Sequence, residues 1–231
     1  MGRVYPLPVR VTVIIPTLNE QERVGAAIDS AFAAGADEVI VADGGSTDAT
    51  VADAREHGAR VIEGETMRSR QMNRAAAEAT SEALVFLHAD TRLPAGACTL
   101  IARAVDGGAV FGGFRLQFTE RSLRLRVAAA LINFRTRFTR CPWGDQAQFV
   151  SRNAFLESGA FREIPIMEDY ELATRMKRRG RSVVLPQKVT TSGRRFLTRG
   201  LLRTSFINWR IIIAWRLGAD PEQLARIYRA Q

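Results

Sequence analysis

The chain of 231 residues is poor in cysteine, in long apolar runs and in repeats, and each shortage removes a class of protein. Cys98 and Cys141 are its two cysteines and form no CxxC pair. Neither a disulfide framework nor a zinc knuckle is expected, and a reducing compartment is the natural home. No window approaches the roughly eighteen uninterrupted apolar residues of a membrane-spanning helix. The opening MGRVYPLPVRVTVII has Pro6 and Pro8 breaking a short apolar run, so it does not read as a signal-peptide core. A cytoplasmic protein is expected. GxGxxG is absent after the first apolar run, where PTLNE stands instead, which argues against a dinucleotide-dependent dehydrogenase. No nucleic-acid-binding motif is visible and the aromatics are not interleaved with basic residues, so nucleic acid is not an expected partner.

What remains is an ordinary globular composition, 46% hydrophobic and 25% charged, with a strong basic bias: net charge +9 and pI about 10.8. That bias points to anionic partners such as phosphates or an acidic membrane surface, or to a solvated basic face.

The first half alternates strand-like and helix-like segments. VTVII (11–15), EVIVAD (38–43), ARVIE (59–63) and ALVFLH (83–88) read as strands. Residues 20–34, 47–57 and 67–80 read as helices, the first two stopped by Gly35 and Gly58. Repeated βα units with short loops imply a mostly parallel sheet covered on both faces, with ligands beyond the carboxyl ends of its strands. After Pro94 the pattern changes. AVFGGFRLQF (109–118) reads as a bent strand, 121–138 as a basic amphipathic helix, QAQFVS (146–151) as a strand, 169–180 as a helix and RSVVLP (181–186) as a closing strand. The tail from Phe196 reads as helical, with a stop at Gly218 and a restart at Asp220-Pro221.

Three polar clusters follow strands directly: PTLNE (16–20), DGGSTD (43–48) and HADT (88–91). In a parallel sheet all three end on one side and can converge into an anion or nucleotide site. Asp43 and Glu20 suit base N–H groups or ribose hydroxyls, and Gly44 and Gly45 let backbone approach a ligand. Taken singly, DGGSTD is also a tight turn whose Ser46 or Thr47 caps a helix.

These stretches, with RSRQMNRAA (68–76), GDQAQFV (144–150) and IMEDYEL (166–172) in order, resemble the family-2 glycosyltransferases over roughly residues 10–190. Within that family the chain is most similar to a small, single-domain bacterial-type subgroup with an FLHADT metal motif. The resemblance implies a GT-A fold, a Rossmann-like α/β sheet flanked by helices, and an inverting sugar transfer from a nucleotide-sugar, UDP-sugars favoured. It divides the chain into a catalytic domain at 1–195, with a nucleotide-sugar half at about 10–95 and an acceptor half at about 96–195, and a C-terminal helical extension at 196–231.

Residue by residue, the resemblance places Pro16, Thr17, Asn19, Glu20, Asp43, Gly44, Arg68 or Arg70, and Ala89 around the nucleotide. Asp90 is the implied ligand of a divalent metal, Mn²⁺ or Mg²⁺, that neutralises charge on the leaving diphosphate. His88 stands where the family often has an acid. Three readings of it are open: a ligand to Mn²⁺, which tolerates imidazole; a donor to the diphosphate; or a packed strand-end residue. Asp169 is the implied general base, with Glu168 beside it as second choice; acidic residues at a helix start also suit the helix dipole. Trp143, Gly144, Asp145 and Gln146 fall on the acceptor side.

Two segments read as interfacial. Arg121, Arg124, Arg126, Arg135 and Arg137 surround VAAALI, and Arg194, Arg195, Arg199 and Arg203 precede FINWRIIIAW with Trp209 and Trp215. Such helices suit the inner face of the cell membrane and a lipid-linked acceptor, or else pack on the sheet or form a homodimer interface. A small-molecule acceptor is the other possibility. Two other readings stand against a glycosyltransferase: a nucleotide- or lipid-binding module that keeps the fold without catalysis, and a different enzyme, a nucleotidyltransferase. The intact ED pair with Asp90 opposes the first, and the lack of a glycine-rich basic N-terminal signature opposes the second.

Overall fold

The computed structural model describes residues 9–229. The opening segment with Pro6 and Pro8, the last two residues of the tail and the side chains of Arg199, Leu201, Leu202 and Arg229 lie outside the described residues. Strands β1 (Val11–Thr17), β2 (Glu38–Asp43), β3 (Arg60–Glu63) and β4 (Ala83–Phe86) alternate with helices α1 (Val24–Ala33), α2 (Thr50–Glu56) and α3 (Arg68–Glu78). Then come β5 (Thr91–Arg92), α4 (Ala97–Asp106), β6 (Ala109–Phe118), α5 (Leu123–Thr139), β7 (Gln148–Ser151), α6 (Arg152–Glu157), α7 (Glu168–Arg179) and β8 (Arg181–Thr191). The chain ends in α8 (Arg194–Arg199), α9 (Leu201–Arg216) and α10 (Pro221–Arg229).

The eight strands form one sheet in the order β3-β2-β1-β4-β7-β6-β8-β5. β1 to β4 are parallel, as is the pair β6–β8, while β7 runs antiparallel between β4 and β6 and β5 antiparallel to β8. Alternation along the strands feeds two cores. Val13, Ile15, Val39, Val41 and Val85 pack with α1 and α4 on one face. Ile14, Ile40, Leu84 and Phe86 pack with Met72 of α3, Phe155 of α6 and Leu172 and Met176 of α7 on the other. Burial on both faces is why these strands read as nearly continuous apolar runs.

The closing strand extends past the expected stop at Pro186 to Thr191. Leu185 pairs with Phe114 and Lys188 with Arg115, so Pro186 and Gln187 fall in a bulge. A proline has no N–H for the ladder, and the bulge lets the strand resume beyond it. The tail also departs from expectation at one tryptophan. Trp209 is exposed, whereas Trp215 is half-buried against the second core, and Arg216 Nε donates to the Tyr170 hydroxyl at 2.8 Å.

β6 crosses the sheet with Gly112 under the Phe149 ring. A Cβ there would lie 2.3 Å from that ring and 2.6 Å from the Val183 carbonyl. Gly112→Ala is therefore expected to lower stability by about 1–3 kcal/mol through overpacking, read as a shifted urea midpoint with unchanged m.

Candidate active site

The carboxyl ends of β1 and β2 are stitched together before any ligand chemistry begins. Thr17 pairs in register with Asp43, and its hydroxyl donates to Asp43 Oδ1 at 3.0 Å. Asp43 also accepts from the Ser46 hydroxyl at 2.5 Å and from the backbone N–H groups of Gly45 and Ser46 at 2.8 and 2.7 Å. Burial raises its pKa, but the Ser46, Thr17 and Gly45 donors outweigh that and hold it below the usual value. Its oxygens thus take four donors from the chain itself, the full complement of an ionised carboxylate. Gln71 of α3 donates to the carbonyls of Thr17 and Ala42, both at 2.8 Å, and fills the space a Gly44 Cβ would need. Asn19, with φ of 54°, receives a backbone N–H from Thr47 at 2.9 Å and gives its own to the Ser46 hydroxyl. Glu20 pairs with Arg23 at 2.9 Å. Pro16 lies within β1 beside Ala42.

The third loop follows β4. Leu87 N–H donates to the Ile14 carbonyl, so His88, Ala89 and Asp90 leave the sheet beside the first two loops. Thr91 then re-enters it, its hydroxyl 2.9 Å from that of Thr191. Ala89 is buried, while Asp90 is half-buried and borders a cavity of about 150 Å³ with Arg23, Arg92 and Glu120.

Gly144 is the point at which three segments of the chain meet. A Cβ there would lie 2.7 Å from both Arg68 Nη2 and His88 Nε2 and 3.1 Å from Asp169 Oδ2. Only a residue without a side chain lets α3, the β4 end and α7 meet at this spot. Gly144 N–H donates to Asp169 Oδ2 at 2.7 Å, and the Tyr170 N–H donates to Oδ1 at 2.7 Å. Gln148, which sequence reasoning did not single out, donates to the carbonyls of Pro142 and Asp169 at 2.8 and 2.9 Å and ties the turn to α7. Its visible signal was its place inside the GDQAQFV stretch.

Arg68 Nη2 hydrogen-bonds His88 Nε2, and Arg68 Nε lies 3.4 Å from Glu168 Oε1. A guanidinium has no lone pair to offer, so His88 Nε2 accepts. Burial and the charges of Arg68 and Arg195 push the imidazole pKa well below its usual value, which agrees with a neutral acceptor. Glu168 is buried; burial raises its pKa, as does Asp169, and Arg68 offsets part of the rise. Arg70, in contrast, is engaged by Glu163 at 2.9 Å and Glu65 at 2.8 Å. Of the two arginines in this segment, Arg68 is the one brought to His88 and Glu168.

In the turn at Gly144–Gln146, Gln146 is fully buried. It donates to the Phe114 carbonyl at 2.9 Å and accepts from Thr136, Arg135 and Trp143 N–H at 2.9, 3.1 and 3.2 Å. It lies beneath the site and shapes the turn. Arg135 stacks on the Trp143 ring with 3.4 Å to its centroid. Asp145 differs from both, since its buried Oδ1 has no hydrogen-bond partner. Burial pushes its carboxyl up to about 6, with Asp169 and Asp90 adding to the rise and Arg135 and Arg195 opposing it. Sequence reading placed Arg195 in the basic tail, yet its charge acts here. Two non-glycine residues beside the site, Ala147 and Met167, hold φ of 46° and 70°. Such backbone strain is kept where the surrounding structure fixes it, often at functional sites.

Residues 12–165 match the family described as glycosyl transferase family 2. The chain belongs to that family. Its solved relatives include a glucosyl-3-phosphoglycerate synthase from Mycobacterium tuberculosis in complex with Mn²⁺, UDP-glucose and phosphoglyceric acid, 19% identical with a TM-score of 0.62; the alignment covers 92% of this chain and 81% of that one. A mannosyltransferase from Pyrobaculum calidifontis in complex with GDP-Man and Mn²⁺ is 22% identical with a TM-score of 0.60, covering 92% and 63%. A structure described as a mycobacterial protein is 20% identical with a TM-score of 0.56, covering 80% and 65%. This family-2 chain thus spans just under two thirds of the last two. At these identities the likeness shows the fold, which is GT-A as expected. No curated protein sequence matches the chain.

An acid whose pKa is raised by folding penalises the native state as pH climbs from its ordinary 3.8 to about 6, because the folded form binds the proton more tightly. Asp145→Asn removes that penalty. The variant is expected to match the wild type near pH 4 and to exceed it at pH 7 by roughly 2–3 kcal/mol. Urea melts at the two pH values read the difference.

Proposed function

We propose that this family-2 glycosyltransferase moves a sugar from a nucleotide-sugar, a UDP-sugar by preference, to an acceptor hydroxyl with inversion at the anomeric carbon. The observation that carries the reading is the meeting of Arg68, His88 and Asp169 at Gly144, with the Asp90 and Asp145 carboxylates in electrostatic reach. Relatives in complex with Mn²⁺ and nucleotides or nucleotide-sugars support it.

The residues present fit a divalent metal that completes its shell with ligand oxygens. Among the described residues no three His, Cys, Asp or Glu side chains form a closed metal cage. Asp90 instead offers a lightly bonded carboxylate, with one contact from the Thr91 hydroxyl at 3.3 Å, and Asp145 adds an orphaned oxygen nearby. Asp90 is assigned as the ligand. With His88 Nε2 taken by Arg68, the donors are oxygens, which suit Mg²⁺ and Mn²⁺ alike. When bound, the metal supplies charge neutralisation on the diphosphate.

Asp169 takes the acceptor proton. Its oxygens each hold one backbone N–H and keep lone pairs to spare, whereas Glu168 is buried against Arg68. The acceptor oxygen attacks the anomeric carbon, the carbon–oxygen bond to the diphosphate breaks, and the nucleoside diphosphate leaves with its electron pair. Arg68 faces that charge, with its orientation fixed by His88 and Glu168. Asp145 orients acceptor hydroxyls, and the PTLNE and DGGSTD loops hold the nucleotide. Since Asp43 already holds four donors, a base N–H would have to share or displace one of them.

The enzyme works at an anionic membrane surface on this reading. Leu123, Val127, Leu131, Phe134 and Phe138 form an exposed stripe along α5, and Phe206, Trp209, Ile213 and Leu217 a second along α9 and the residue after it. Neither 121–140 nor 194–216 contains an Asp or Glu. Apolar side chains in arginine-rich segments that hold no acidic residue suit an acidic headgroup layer. Among the described residues no helix is long and apolar enough to cross a membrane.

Asp90→Ala is expected to abolish transfer and weaken UDP binding in Mn²⁺ by calorimetry; equal affinity would reject the metal assignment. Asp169→Asn should lower kcat by about 10²–10⁴-fold and leave UDP affinity intact. For the membrane face, Phe134→Ser/Phe138→Ser/Trp209→Ser should lose co-sedimentation with anionic vesicles. Unchanged sedimentation, or a wild-type dimer that the triple variant dissolves, would assign the face otherwise.

A further inference from the structure

α7 borders a second opening. Its first turn carries Asp169, and from Tyr170 onward it forms one wall of a cleft of about 840 Å³ whose other wall includes Trp215 and Arg216 of α9. Tyr170, Thr174 and Arg178 succeed one another at intervals of four along this wall, so they share a face of the helix.

The cleft is lined by five arginines and a single carboxylate, Glu171. Glu171 is already spent on Arg175, at 2.9 Å, and Arg162, at 3.3 Å. Arg175 is further fixed by the Ser158 and Ala160 carbonyls, so it serves as a strut in the wall. Among the described residues the other three have no acidic partner. Arg216 donates to the Tyr170 hydroxyl, Arg179 reaches the Glu157 carbonyl at 3.4 Å, and Arg178 makes no hydrogen bond or ion pair among the described residues. Guanidinium groups gathered without counter-charge repel one another, and their fork of N–H donors matches phosphate oxygens.

The geometry points to a binding site for the phosphate or diphosphate group of an anionic ligand, held by Arg178, Arg179 and Arg216. Nine residues of helix, about 13 Å, separate Arg178 from Asp169, so one extended molecule can rest its anionic end in the cleft and present a hydroxyl to the base. Trp215 gives it an apolar surface, and α9 carries the exposed apolar row on the same helix. That the ligand is the sugar acceptor rests on the proposed transfer reaction; that the cleft takes a phosphate does not.

The test compares full-length wild type with Arg178→Glu/Arg179→Glu, two exposed positions at the end of α7, and with Arg178→Lys/Arg179→Lys. Calorimetry with inorganic pyrophosphate in EDTA should show binding by wild type, weakening by about ten-fold or more in the Glu variant and a smaller loss in the Lys variant. UDP binding in Mn²⁺ should stay unchanged. Equal pyrophosphate affinity in wild type and Glu variant, or no binding by either, overturns the site. Vesicles of phosphatidylcholine with phosphatidic acid separate the sources. Loss of vesicle and pyrophosphate binding together supports a lipid headgroup, and loss of pyrophosphate binding alone supports a soluble phosphate ester. If wild type turns over no nucleotide-sugar yet binds pyrophosphate through these arginines, the transfer reading fails and the phosphate site stands.

Discussion

The buried Asp43 carboxylate fixes the level at which β1 and β2 end, and the rest of the strand-end architecture is measured from it. It draws donors from β1 and from its own turn, while Gln71 closes the two last carbonyls from the α3 side. Each is a buried polar group that would be costly to leave unpaired, so the loops have little freedom to drift. α3 is thereby anchored one turn from Arg68. The position of that guanidinium against His88 and Glu168 follows from a hydrogen-bond set that includes neither.

The region around Gly144 is built on tension between like charges. Asp90 and Asp169 push the buried Asp145 carboxyl up, Arg135 and Arg195 oppose that rise from two different helices, and Arg68 does the same for Glu168. An unpartnered carboxylate oxygen inside such a cluster is unfavourable in the free protein and becomes favourable when a cation or hydroxyl arrives. Stability is held back where chemistry needs it, a pattern common to preorganised sites.

Much of this was legible in the chain. EVIVAD and AVFGGFRLQF are strands over the expected residues, because burial and alternation are written locally. α4 and β5 were not anticipated. α4 starts from Gly96 in a left-handed conformation without a Ser or Asp cap, and its buried face includes small Ala97 and Cys98; β5 has two residues, too few for any period. α1 begins at Val24 and not at Glu20, since 20–23 form a turn that ties to Thr50. The strand pattern set the PTLNE, DGGSTD and HADT loops at one edge, as the parallel pairing of β1, β2 and β4 has them. The division of labour among neighbours was not readable. That Gln146 lies buried while Asp145 is left unpaired, that Arg68 and not Arg70 reaches His88, and that Arg195 acts on the same cluster all depend on packing between segments far apart in sequence.

The pairing of Thr91 with Thr191 carries a temporal meaning. The residue after Asp90 is locked by a partner one hundred positions later, across the outermost ladder of the sheet. Contacts of such separation form late, because the intervening loop must first be closed. β1 to β4 pair among themselves within about the first ninety residues, whereas the residue after Asp90 pairs with one near the end of β8. The pairing thus ties the loop that carries Asp90 to the outermost edge of the sheet.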